Sequence, residues 1–145
     1  MRLALNEARR AWQEGEVPVG AVIVHPELGV IAKAFNQKET LRDATAHAEV
    51  LAIGQAAQAL DAWRLEAATL YTTLEPCPMC AGAIVQARVT RLVYGAADPK
   101  AGAVESVVRL LEPGLFNHDV TYEGGVLADE CGEILTRFFR ERRRK

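Results

Sequence analysis

The segment Glu75-Pro76-Cys77-Pro78-Met79-Cys80 decides how the rest of the chain is read. Cysteines three positions apart fall on one side of a first helical turn. Pro78 suits the first helical position, where its missing N–H costs nothing, so the sequence predicts a helix beginning between the two thiols. Unpaired N–H groups and the positive end of the helix dipole favour thiolate over thiol there. Thiolates so placed are metal ligands, and histidine nitrogen is their ordinary companion. Upstream, His47-Ala48-Glu49 offers an imidazole and a carboxylate together.

The frame around these residues is that of a soluble protein. A chain of 145 residues suits one domain, residues 1–145, with a sizeable core. Half of the residues are hydrophobic and a quarter charged, an ordinary globular balance. No run approaches the roughly 18 apolar residues of a membrane span. The segment Met1 to Glu7 has no apolar signal core before its first acid, so no membrane association and a cytoplasmic location are expected. Three cysteines, two of them in a metal-type pair, leave no disulfide framework. The net charge of −2 is uneven: Arg137 to Lys145 carry six basic residues and one acid, a local +5, against −7 elsewhere. Overall charge gives no support for nucleic-acid binding, while the carboxyl end does.

Along the chain, Arg2 to Glu14 has Leu5, Ala8, Ala11 and Trp12 at helical spacing. Val17 to Val24 reads as an interior strand and Val30 to Phe35 as its partner across a turn. Asn36 to Thr45 is polar and without period, a loop. Thr45 is placed to cap a helix from Ala46 to Leu60 whose stripe is Val50, Ile53, Ala57 and Leu60. Thr69 to Thr73 is a strand, Pro78 to Ala87 a helix, and Arg91 to Tyr94 a strand. Val104 to Leu111 reads as a short helix, Val120 to Glu123 as a last strand and Leu127 to Arg140 as a last helix. Strands alternating with helices argue for a layered α/β domain.

His47, Cys77 and Cys80 make three protein ligands, the number that catalytic zinc sites use while keeping a fourth position for water. Side chains at helix starts lean past the helix end, so both segments are able to reach one metal. A redox pair lacks the rest of its fold around Cys77-x-x-Cys80. A closed structural site would need Cys131, but Leu127, Cys131, Leu135 and Phe138 share one apolar face, which makes Cys131 a core residue. His25 sits in a turn beside Pro26 and is read as a solvated turn residue, and His118 sits in a polar loop with no carboxylate two residues on, so His47 is the better candidate.

His47-x-Glu49 followed by Pro76-Cys77-x-x-Cys80 is the signature of the zinc nucleobase deaminases. Further stretches narrow the resemblance: Glu16-Val17-Pro18-Val19-Gly20-Ala21-Val22, Thr45 to Glu49, Thr73 to Ala83, Tyr94-Gly95-Ala96, Asn117-His118, Gly125 to Cys131 and Phe138-Phe139-Arg140. Through them nearly the whole chain resembles the bacterial tRNA-specific adenosine deaminases. The resemblance implies a three-layer α/β/α cytidine-deaminase-like fold with a central mixed sheet, and a homodimer with its active sites near the interface. It implies one zinc ion per subunit and hydrolytic deamination of the wobble adenosine of a tRNA anticodon stem-loop to inosine, with release of ammonia.

Residue by residue, the resemblance matches Asn36 to a contact with the flipped base, Asp98 and Lys100 to a substrate-side loop, and Asn117 to another polar contact. The paired phenylalanines and the basic tail match a helix that helps hold the stem-loop. Phe138 and Phe139 are adjacent and cannot share a helical face, so one enters the core and the other is free to stack; Phe139 is carried with the substrate-side residues. Thr72 and Phe116 fall where family members vary and take no role. Glu49 is placed as the general acid–base, moving protons from water to adenine N1 and to the departing amine. Two rivals stay open. One is a deaminase of a free base, nucleoside or nucleotide, of guanine or cytosine type, which would have no use for a basic, aromatic-flanked end. The other is a zinc-stabilised RNA-binding scaffold, which would have no use for Glu49.

Overall fold

In the computed structural model, residues 1–145 build a five-stranded mixed sheet in the order β2-β1-β3-β4-β5. The strands are β1 (Gly20–His25), β2 (Gly29–Phe35), β3 (Thr69–Leu74), β4 (Arg91–Ala96) and β5 (Thr121–Glu123). β1 pairs antiparallel with both β2 and β3, whereas β3, β4 and β5 run parallel. Helices α1 (Arg2–Gln13) and α5 (Ala128–Arg144) pack on one face, with α3 (Ala48–Leu60) and α4 (Pro78–Gln86) together in the other layer. The result is the three-layer α/β/α arrangement expected from the sequence. No helix is long and apolar enough to cross a membrane.

Between the sheet and α3–α4 lies the main core, where Ile23, Leu70, Leu92 and Ile84 are fully buried. Register sets this face: Ile23 stands opposite Leu70, and Leu70 opposite Leu92. On the other side, Leu5, Ala96 and Cys131 form a smaller cluster, which confirms Cys131 as a core residue. Gly95 is what lets α5 approach, because a Cβ there would overlap the Cys131 side chain.

Four local expectations are corrected by the structure. The first strand begins at Gly20 rather than Val17, since Pro18 has no N–H for a ladder. Thr45 does not cap α3. Its hydroxyl turns back to Asp43 Oδ1 at 2.7 Å, and His47 occupies the cap position without a side-chain cap bond. The face of α3 that is fully buried is Ala48, Ala52 and Ala56, with Val50, Ile53, Ala57 and Leu60 only half-buried on its flank. Small residues let the helix lie close to β1 and β2, so the alanine face, not the bulky one, meets the sheet.

The fourth correction concerns the loops. Val104 to Leu111 forms turns rather than a helix, because the N–H groups of Val104, Glu105 and Ser106 go to the Glu75 carboxylate. Conversely, the expected loop Asn36–Thr45 contains one helical turn, α2 (Lys38–Leu41), whose Glu39 and Thr40 N–H groups are received by Glu16. Both departures trace to a buried carboxylate far away in sequence.

Candidate active site

His47 precedes the first residue of α3 and Cys77 the first residue of α4, with Pro78 at the start of that helix. Both cap residues have extended backbone, so their side chains swing past the helix ends toward each other. Cys80 comes in from the first turn of α4. His47 Nδ1 lies 3.6 Å from Cys77 Sγ and 3.4 Å from Cys80 Sγ, and all three donor atoms lie within 4.8 Å of one another. Nitrogen and sulfur at tetrahedral zinc distances, about 2.0–2.1 and 2.3 Å, stand about 3.5 Å apart. The donor set therefore fits zinc in chemistry and in spacing.

Electrostatics point the same way. The hydrogen bond from Cys80 and, after it, the His47 ring hold Cys77 down to about 4, so it is a thiolate at neutral pH. That same hydrogen bond and burial push Cys80 up.

Glu49 is buried at 4 % exposure in the first turn of α3 and opens on the same cleft. Burial pushes its carboxyl above the ordinary value, against the hydrogen bond from Cys80 and the His47 charge. The Thr72 hydroxyl on β3 stands 3.3 Å from Glu49 Oε1 and from the Leu74 carbonyl, which fixes the carboxyl group in place. Thr72 drew no assignment from the sequence. Its alternation on β3 places it toward α3, and only the sheet-to-helix geometry reveals the partner.

The cleft has a volume of about 200 Å³ and lies between two loops. One wall carries Asn36 and Lys38, the other Asp98 and Ala101, and Val17, Val19 and Leu74 make its apolar surface. Asn36 is buried, donating from Nδ2 to the Val17 carbonyl at 3.2 Å and accepting from the Lys38 N–H at 3.3 Å. These contacts leave it one amide hydrogen and one lone pair for a ligand. Asp98 shapes its own loop, receiving the Lys100 and Ala101 N–H groups at 3.0 and 3.2 Å. Lys100 and Asn117 are exposed and stand outside the cleft lining, while Lys38, which the sequence did not single out, is on its rim. His25 accepts turn N–H groups at Nδ1, and His118 donates from Nε2 to the Val89 carbonyl, so neither reaches the metal-type cluster.

Two residues before Cys77, Glu75 is buried at the base of the second wall, where it lines the floor of the cleft. Burial raises its carboxyl, but the Glu105 N–H, the Ser106 hydroxyl and the Asp98 and Ser106 N–H groups outweigh this and hold it at about 2. At the far end of the chain, α5 runs to Arg144, four residues beyond the Arg140 expected from the sequence. Phe138 is buried against Trp12, with ring centroids 5.3 Å apart, and Phe139 is the exposed ring. Arg142 donates to the Gly15 carbonyl at 2.7 Å, so part of the basic tail is engaged with the body.

Comparison with known proteins gives four findings. The family model of the MafB19-like deaminases matches residues 1–143. The tRNA-specific adenosine deaminase of Bacillus subtilis (strain 168) is 52 % identical, over 100 % of this chain and 89 % of the relative. A solved structure from work on A-to-I editing by tRNA:A34 deaminases at the wobble position superimposes with a TM-score of 0.88 at 51 % identity, covering 93 % of this chain and 97 % of its own. A further structural neighbour, guanine deaminase from Nitrosomonas europaea, gives 0.81 at 27 % identity over 93 % and 80 %.

Proposed function

The chain belongs to the family of the tRNA-specific adenosine deaminases, and from that premise we propose that it is zinc-dependent and acts on the wobble adenosine of a tRNA anticodon. The enzyme is a hydrolytic deaminase that converts adenosine in tRNA to inosine and releases ammonia. The observation that carries the finer reading is the convergence of a buried Glu49 with His47 and Cys77 on one cleft, with Cys80 completing the donor cluster behind them.

His47, Cys77 and Cys80 would hold the ion. When bound there, zinc supplies the Lewis acidity that makes a water acidic near neutrality. Glu49 takes the proton that the water gives up as its oxygen bonds to C6, and passes a proton to adenine N1. It then takes the proton of the new C6 hydroxyl and delivers it to the exocyclic nitrogen as the C6–N bond breaks, leaving the C6 carbonyl of inosine and ammonia. Burial suits Glu49 to this, since a carboxyl group that is raised toward neutrality both accepts and returns a proton. Thr72 holds the carboxyl, and the remaining amide hydrogen and lone pair of Asn36 suit the edge of a purine. Asp98 lines the opposite wall, while Lys100, Asn117 and the exposed Phe139 are assigned to RNA outside the cleft.

The same reading takes residues 1–145 as one deaminase domain working in the cytoplasm as a homodimer. Val107, Val108, Leu115 and Phe116 support the dimer, since they expose apolar surface on the segment that follows the second wall. Sedimentation at micromolar concentration should give twice the 15.8 kDa chain mass; an active lone chain would contradict the dimer. For the activity itself, the purified enzyme is incubated with an anticodon stem-loop bearing adenosine at the wobble position, and separately with guanine, cytidine and adenosine. Inosine appearing only in the stem-loop is expected. Conversion of a free base or nucleoside with no reaction on RNA would make it a small-molecule deaminase.

A further inference from the structure

Besides Glu7, which is paired with Arg10, two buried carboxylates in this molecule take no part in the proton transfers. Glu75 is 2 % and Glu16 is 1 % exposed, yet neither is paired with a buried cation. Both are satisfied almost wholly by backbone. Glu75 Oε1 accepts the Asp98 N–H at 3.0 Å and the Ser106 hydroxyl. Glu75 Oε2 accepts the N–H groups of Val104, Glu105 and Ser106 at 3.1, 2.8 and 3.0 Å. Glu16 accepts Glu39 N–H at 3.1 Å and Thr40 N–H at 2.7 Å. The loop held by Glu75 carries Asp98 and Ala101, and the turn held by Glu16 follows Asn36 and Lys38, so each wall of the cleft hangs on one carboxylate.

For Glu75 the connection to the centre is short. It is two residues from Cys77, its N–H donates to the Ala96 carbonyl at 2.8 Å, and the Ala103 N–H donates to the Pro76 carbonyl at 2.8 Å. The wall is therefore tied to the segment that presents the ligands. Gly102 leaves the space for this, because a Cβ at that position would overlap the Glu75 carboxyl group. Charged hydrogen bonds of this kind are the strong ones, and a carboxamide cannot replace them, since its NH₂ faces N–H donors.

We propose that Glu75, with Glu16 as its counterpart on the opposite wall, is a positioning residue that sets the distance between the 98–106 wall and the catalytic centre. Productive seating of the target nucleotide depends on that distance; the proton transfers at Glu49 do not. The inference rests on the reading that the cleft receives a nucleotide of RNA. A packing role alone would lower stability and leave the kinetic constants in proportion.

The test uses Glu75→Gln and the milder Ser106→Ala, with zinc content, stem-loop kinetics and amide exchange measured on each. Glu75→Gln should keep one zinc per chain and lose about 10- to 100-fold in kcat/KM, the loss lying in KM. Amides of residues 98 and 104–106 should exchange faster, with those of α4 unchanged. Ser106→Ala, which removes one hydroxyl, should shift both readouts in the same direction by less, and it decides the matter if Glu75→Gln does not fold. Faster exchange with unchanged KM, or a loss carried by kcat alongside lost zinc, would overturn the proposal. Should the wild type fail to deaminate the stem-loop, the functional reading fails on its own. The exchange arm then decides the positioning role, and unchanged protection at residues 98 and 104–106 would end it.

Discussion

His47 and Cys77 stand at the starts of α3 and α4, whereas Lys38 and Asp98 stand on loops held from below by Glu16 and Glu75. The centre draws its geometry from helix starts, where the side chains and the free N–H groups are set by local backbone. The walls draw theirs from single carboxylates that reach across 23 to 31 residues of sequence. Damage to the centre should therefore abolish chemistry, while damage to the walls should leave chemistry intact and loosen substrate.

The largest effect is expected at the centre. Cys80→Ser, or exhaustive chelation, should remove zinc and take turnover to background. A ligand present at about 1,000 times its Kd stabilises the folded state by about 4 kcal/mol, so the melting temperature should fall as well. Full zinc occupancy in Cys80→Ser would remove that residue from the ligand set.

Within the walls, Glu75→Gln should cost about 3 kcal/mol, close to one or two charged hydrogen bonds after relaxation. The pH dependence has a definite sign. Glu75 is held at about 2, below its ordinary 4.5, so its contribution is complete above about pH 4.5 and is withdrawn as pH falls toward 2. Thermal scans across that range should show the wild type losing its advantage over Glu75→Gln on the acid side, with metal loss common to both. A constant difference between the two proteins would contradict the charged anchor.

The paired phenylalanines extend the same contrast to α5. Phe138→Ala empties a buried site beside Trp12 and should cost about 3–5 kcal/mol of stability. Phe139→Ala should leave stability nearly unchanged and weaken stem-loop binding by about 1–3 kcal/mol. Smaller still is the effect of replacing Arg143, Arg144 and Lys145 by alanine. Each lost phosphate contact should reduce the magnitude of the salt slope by about 0.7, without a change in turnover at saturating RNA. Arg142 is kept in that variant because it is bonded to the Gly15 carbonyl beside Glu16, and truncating it would disturb the first wall too.

The same division explains what the sequence discloses. Cys77-x-x-Cys80 with Pro78 between them, and His47 two residues before Glu49, are local patterns, and the structure gathers His47, Cys77 and Cys80 into one donor cluster beside the cleft that Glu49 lines. The alternation of strands and helices likewise reads directly as layers. By contrast, Val104 to Leu111 carries helical residues but no helix, since Glu75 captures three of its N–H groups from about 30 residues away. The turn Lys38–Leu41 looks like loop and is helical, because its cap is Glu16. Neither carboxylate carries a periodic or motif signal of this role; only burial with backbone donors gives it away. The ordering of Phe138 inside and Phe139 outside similarly depends on how α5 rotates against α1, which adjacency alone leaves undecided.

The most direct test of the account is Glu49→Gln. The amide keeps the shape of the side chain and is unable to take the proton from water. Metal analysis should still find one zinc per chain, and the stem-loop should bind with wild-type affinity. Single-turnover inosine formation should fall by at least about 10²–10⁴-fold, since two proton transfers share this residue. Zinc-loaded Glu49→Gln that forms inosine at close to the wild-type rate would contradict the proposed chemistry at its centre.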